Sequence, residues 1–182
     1  MGKIINLFDQ QEHTSESNFA ASLSMNSSYF RAQIIVPSLI LVNLHSPSLT
    51  NLLLGTALAE SGLETTQHAG AAFSFFNIPI SRYHNTINYL NLDGNASLKT
   101  AILGACYCNM FPPAASLMWN LRLAVLISAV FYDHLKFPYP SSTDIPGLAY
   151  YWKMHYAKDT DKQSDKALHF IDTWHAYVDG KS

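Results

Sequence analysis

The chain has 182 residues and a mass of 20.3 kDa, which suits one domain with one substantial core. Apolar residues make up 48% and charged residues 13%, roughly half the charged share of soluble proteins, so the surface is polar through Ser, Thr, Asn and Tyr or is covered by other chains. A formal charge of −2 with scattered Lys residues supplies no basic stripe, which argues against nucleic acid as the main ligand.

Residues 1–26 are rich in Ser, Asn and Gln and lack periodicity, and they read as an arm that is disordered alone or ordered by a partner. Residues 27–182 read as the folded domain. The opening MGKIINLFDQQEHTSES has neither a continuous apolar stretch nor a small-residue cleavage site, so no signal peptide is expected. An apolar helical pattern runs from Ser27 to His45, with Pro37 expected to kink or divide it. In HSPSLTNLLLGTALAESG, Ser46 is a natural N-cap, Pro47 takes the first helical position and Gly62 follows the end. Thr65 to Ile80 contains Gly70 and Pro79 and reads as a loop or a short hairpin.

Helical signal resumes at Arg82–Leu90 and again from Ala96 to about Asn109, where Asn95 or Ser97 is a possible cap. Cys106 and Cys108 fall at i and i+2 of that helix, point in different directions, and read as buried free thiols. After Pro112-Pro113, the run AASLMWNLRLAVLISAVFYDHL reads as the longest helix, about 20 residues and apolar nearly all round, hence central. DIPGLAYYWKMHYA follows with Asp144 as N-cap, then SDKALHFIDTWHAYV with Ser164 or Asp165. The fold class is therefore mainly α with at most a small β-hairpin. No apolar run reaches the roughly 18 residues that a membrane span needs.

Only four Glu residues occur, and Glu60 and Glu64 are the two in the folded part. Glu60 lies in the last turn of an apolar helix, where the helix dipole disfavours a carboxylate. Two readings stand: an incidental surface acid, or a partly buried carboxyl whose proton affinity is raised towards that of a general acid. The dispersed His68, His84, His134, His155, His169 and His175 do not converge at metal-ligand spacing, and no cofactor is implied. HExxH, G-x-S-x-G, P-loop and G-x-G-x-x-G patterns do not occur. Tyr150, Tyr151, Trp152 and Tyr156 read as core plus rim, with sugar stacking at a cleft as the alternative.

TALAESGLE resembles the helix end of the lysozyme superfamily members related to goose-type lysozymes and lytic transglycosylases, in which Glu-Ser-Gly closes an apolar helix and the Glu is the general acid. GAAFSFFNIPIS, Gly70 to Ser81, is similar to the glycine-led second motif of that group, with Ser74 at its second glycine, Asn77 at its glutamine and the proline displaced by one. With WNLRLAV and GLAYYWKMHY, the likeness is closest to small bacteriophage proteins sharing an A-L-x-E-S-G-L segment, and it extends from Leu52 to Val178.

The resemblance implies a lysozyme-like domain acting on the β-1,4 link of peptidoglycan, as lytic transglycosylase or muramidase, with Glu60 as acid and base. It places Ser61, Gly70, Phe76, Asn77 and Tyr156 along the sugar, Asn77 touching it and Phe76 and Tyr156 lining the cleft. A second carboxylate would have to lie roughly 5 to 9.5 Å away; Asp93 and Asp133 are the central ones, and neither has a motif around it. The alternative is a catalytically weak or inactive structural virion protein that keeps the fold. Both place the chain in the virion, or in the host cytoplasm during assembly, with other virion proteins as possible partners of the arm.

Overall fold

The computed structural model describes residues 25–64, 72–157 and 165–180. The expected arm therefore lies almost wholly outside the described residues, as do His68 and Gly70. The described chain is mostly helical, with one two-stranded antiparallel hairpin.

Helix α1 (Ser27–Tyr29), capped by the Asn26 side chain, runs straight into a π-helical segment (Phe30–Ile35) and then α2 (Val36–Leu41). The Val36 N–H bonds the Arg31 carbonyl, five residues back. A proline ring clashes with the carbonyl four positions before it in an α-helix, and a widened π turn just ahead of Pro37 is one of the recognised ways to pass such a residue. Pro37 thus neither ends the helix nor divides it.

Helix α3 (Pro47–Ser61) has the ends its punctuation predicts: Ser46 accepts from the Leu49 N–H, and Gly62 takes the left-handed conformation at φ 62°. Every residue from Leu49 to Leu58 is buried, because α6, α7, α8 and the π-helical segment pack around it. Strands β1 (Ala72–Phe73) and β2 (Ile78–Pro79) form the hairpin, with Ala72 opposite Pro79 and Phe73 opposite Ile78. Helix α4 (Ile80–Leu90) follows directly, and a 3-10 turn (Asp93–Asn95) leads into α5 (Ala96–Ala105).

Two expectations are corrected here. Helix α5 stops at Ala105, so Cys106 and Cys108 lie at and beyond its end; both are free and half-buried, not buried as expected, and partial burial pushes the Cys106 thiol up to about 11. The long helix expected from Ala114 is a 3-10 turn (Ala114–Met118) followed by α6 (Leu121–His134). The Asn120 side chain accepts from the Leu123 N–H and starts α6 there, an N-cap inside an apolar run that periodicity alone passes over. Helix α6 is central as expected, with Leu123 to Val130 all buried. Helix α7 (Ile145–His155) is capped by Asp144, and α8 (Lys166–Tyr177) packs on both α3 and α7. Among the described residues no helix is long and apolar enough to cross a membrane.

Candidate functional site at the end of helix α3

Glu60 is the penultimate residue of α3, held where the helix leaves the core. Asn77, the last residue of the hairpin turn, donates its side-chain N–H to Glu60 Oε2 at 3.1 Å. The turn places it there through two residues in the left-handed region, Ser74 at φ 70° and Asn77 at φ 47°. The Asn77 N–H bonds the Ser74 carbonyl at 3.0 Å, closing the turn. Asn adopts that conformation more readily than most residues. Ser74 takes it at the position where the resembling motif has glycine.

Burial dominates the proton affinity of Glu60 and raises it above the ordinary value of 4.5, against the Asn77 hydrogen bond, the positive charges of Arg82 and Lys166, and the nearby Trp152 indole, all of which favour the charged form. The Trp152 N–H lies short of the geometry of a formed hydrogen bond and is buried without a partner of its own. Beneath the carboxyl, the Tyr132 and Tyr156 rings stack at 5.3 Å. Burial lifts both phenols, Tyr156 to about 12, and the Glu60 charge adds to the rise in each. Arg82 is fixed at one side: its Nη2 donates to the Tyr156 carbonyl at 2.7 Å, and its guanidinium lies 3.9 Å from the Tyr156 ring centre and 4.6 Å from that of Phe131.

The other residues expected along the sugar are placed differently. Ser61 donates its hydroxyl to the Ala57 carbonyl and accepts from the Leu63 N–H, so its polar atoms finish the helix. Phe76 and Tyr156, expected to line the cleft, are each 1% exposed. Phe76 packs on Phe30, and the Tyr156 hydroxyl donates to the Phe76 carbonyl at 2.8 Å, because a buried phenol must find an acceptor. They support the site from below and present no stacking face. Of the two central aspartates, Asp133 pairs with Lys136 at 2.9 Å and Asp93 opens an exposed 3-10 turn.

A cavity of about 470 Å³ opens next to the site between α4 and α6, with Arg82, Asn85, Thr86, Tyr89, Phe131 and His134 in its wall. Arg82 is common to both, whereas Glu60 and Asn77 do not line the cavity. Sequence reasoning passed over Arg82 and Lys166, which have no motif of their own, and read Trp152 only as part of an aromatic cluster.

No protein-family model matches the chain, and no curated protein or solved structure matches it either.

The chemistry available at Glu60 is proton transfer. A carboxyl that keeps its proton above the usual carboxylate range can give it to an oxygen placed before it. The Asn77 amide and two flanking cations then stabilise the carboxylate left behind.

Proposed function

We propose that this chain is a phage-encoded, virion-associated lysozyme-like protein that cleaves the MurNAc-GlcNAc β-1,4 link of peptidoglycan with Glu60 as general acid and base. The observation that carries this reading is the buried Glu60 carboxyl at the end of α3, hydrogen-bonded by Asn77 from the hairpin that follows. Two residues named from separate motifs, seventeen positions apart, meet at one carboxyl. The left-handed backbone at Ser74 adds support, since it keeps the conformation that a glycine would supply. A route that needs one acid uses Glu60 twice. It first protonates the glycosidic oxygen, then accepts the proton of the muramyl C6 hydroxyl as that oxygen bonds C1, leaving an anhydro product.

A second reading is favoured by specific observations: the protein is a structural virion component whose catalysis is weak or lost. Phe76 and Tyr156 are closed into the core, and the Asn77 amide already serves Glu60. Tyr107, Met110 and Trp119 are 91%, 75% and 71% exposed, large side chains open to contact with another chain.

Incubation of the purified chain with peptidoglycan decides between them. Release of anhydromuropeptides by the native chain, abolished in Glu60→Gln, is the expected result. No release from either sinks the enzyme reading, and release that survives Glu60→Gln removes the role of Glu60. Absence of the protein from purified particles removes the structural reading, and with it the virion association of the first.

A further inference from the structure

The Trp152 indole N–H is the polar group at this site for which the proposed chemistry has so far given no use. It lies on α7, 3% exposed, with its ring packed 5.6 Å from Phe170 of α8, so its direction is fixed by the packing of α7 and α8 on α3. An indole N–H is a donor only, and burying one without an acceptor is costly. The group it approaches is the Glu60 carboxyl, which already receives one donor, Asn77, on Oε2.

We propose that Trp152 is a positioning residue for Glu60, its indole N–H being the second donor that the carboxylate takes up as its proton leaves. The inference rests on the reading of Glu60 as a proton donor. In the first step, the O–H bond of Glu60 breaks and its proton passes to the glycosidic oxygen. The C1–O bond breaks with its electron pair going to that oxygen, and the newly charged carboxylate turns to accept from the Trp152 N–H. In the second step, the C6 hydroxyl oxygen bonds C1 and its proton returns to Glu60, which lets the indole go. A donor that is weakly engaged with the neutral acid and fully engaged with the carboxylate stabilises the state formed along the reaction more than the starting state.

The groups that act on Glu60 from its surroundings are Asn77 from the hairpin, Arg82 from α4, Tyr132 from α6, Tyr156 from the end of α7 and Lys166 from α8. Of these, Asn77 donates to it directly, the two cations act through charge, and the phenols are too weakly acidic to ionise alongside it. His169 also approaches this end of α3, but its Nε2 is engaged with the Ala59 carbonyl at 3.0 Å.

The test is the nitrogen-bound proton resonance of the Trp152 indole, followed through a pH titration of the full chain. The expected result is a downfield shift whose midpoint matches that of the Glu60 carboxyl carbon, and a flat trace in Glu60→Gln. A flat trace in the native chain, or the same shift in Glu60→Gln, overturns the proposal. With peptidoglycan, Trp152→Phe is expected to lower kcat about tenfold with KM unchanged, the loss of one charge-assisted hydrogen bond, and to move the alkaline limb of the profile upward. A change in KM alone overturns the positioning role. The indole titration needs no glycan, so a chain that cleaves nothing refutes the proposed function while the fate of this contact is read separately.

Discussion

Glu60 is held in a place that disfavours its charge. Burial raises its folded-state proton affinity above the ordinary 4.5 of the unfolded chain, so the native state keeps a proton that the unfolded chain has already lost. The contribution of this group to stability is therefore fullest below the unfolded value and is lost as pH rises through the folded value. Glu60→Gln, which cannot ionise, is expected to melt at a higher temperature than the native chain near neutral pH. The difference should shrink towards zero below the unfolded value, and thermal melts across that range check it. Ser74 gives a second outcome at this scale. A non-glycine residue in the left-handed region costs about 1–2 kcal/mol, partly offset here by the Phe76 N–H bond to Ser74 Oγ at 3.3 Å. Ser74→Gly is expected to stabilise slightly, by about 0.5 kcal/mol after its own chain-entropy cost, and Ser74→Ala to destabilise by about 1 kcal/mol; denaturant midpoints rank the three. Thr56 and Tyr132 supply a third. The single hydroxyl proton of Thr56 goes to the Leu52 carbonyl at 2.7 Å, so in the 2.7 Å contact between the two side chains Tyr132 is the donor. Tyr132→Phe leaves Thr56 its own bond and should cost about 1 kcal/mol, whereas Thr56→Val strands a buried phenol and should cost about 2 kcal/mol.

Among the elements, the seat of α8 on α3 depends on one absent methyl group. A Cβ at Gly55 would fall 1.9 Å from Phe170 Cζ, inside the ring of a residue with no exposed surface. Gly55→Ala should lose about 1–3 kcal/mol through overpacking, despite the better helix propensity of alanine. Phe170→Leu in the same chain should restore part of that loss, so a double-mutant cycle in denaturant is expected to give a coupling well above the error of additivity. The ends of the elements were legible in the sequence where local chemistry sets them. Ser46, Pro47 and Gly62 bound α3 as read, and Asp144 caps α7 through a side-chain bond to the Gly147 N–H. They were illegible where a cap hides in an apolar run, as at Asn120, or where the backbone widens to pass Pro37. Within the site, Glu60 stood out because a lone acid closes an apolar helix. The cover that Phe30 gives Phe76, and the path of Arg82 beneath Tyr156, are products of packing between distant segments and leave no periodic trace.

At the scale of the whole molecule, α3 and α6 share the centre, α3 enclosed over Leu49–Leu58 and α6 over Leu123–Val130. Amide exchange is expected to be slowest in these two stretches and faster in α5 and α8, whose outer faces are open to solvent. Exchange that is slowest in α8 would contradict this arrangement. A last consequence concerns the ends of the described fold. The Met25 N–H bonds the Leu63 carbonyl at 3.2 Å, and the Ser27 hydroxyl bonds the Tyr177 carbonyl at 2.6 Å. The first described turn, the close of α8 and the exit of α3 are thereby tied into one knot, a few positions along the chain from Glu60. With these positions held side by side, a short linker from residue 180 to Met25, replacing residues 181–182 and 1–24, lets the chain be reopened in the exposed loop after Lys136 with little change to the core.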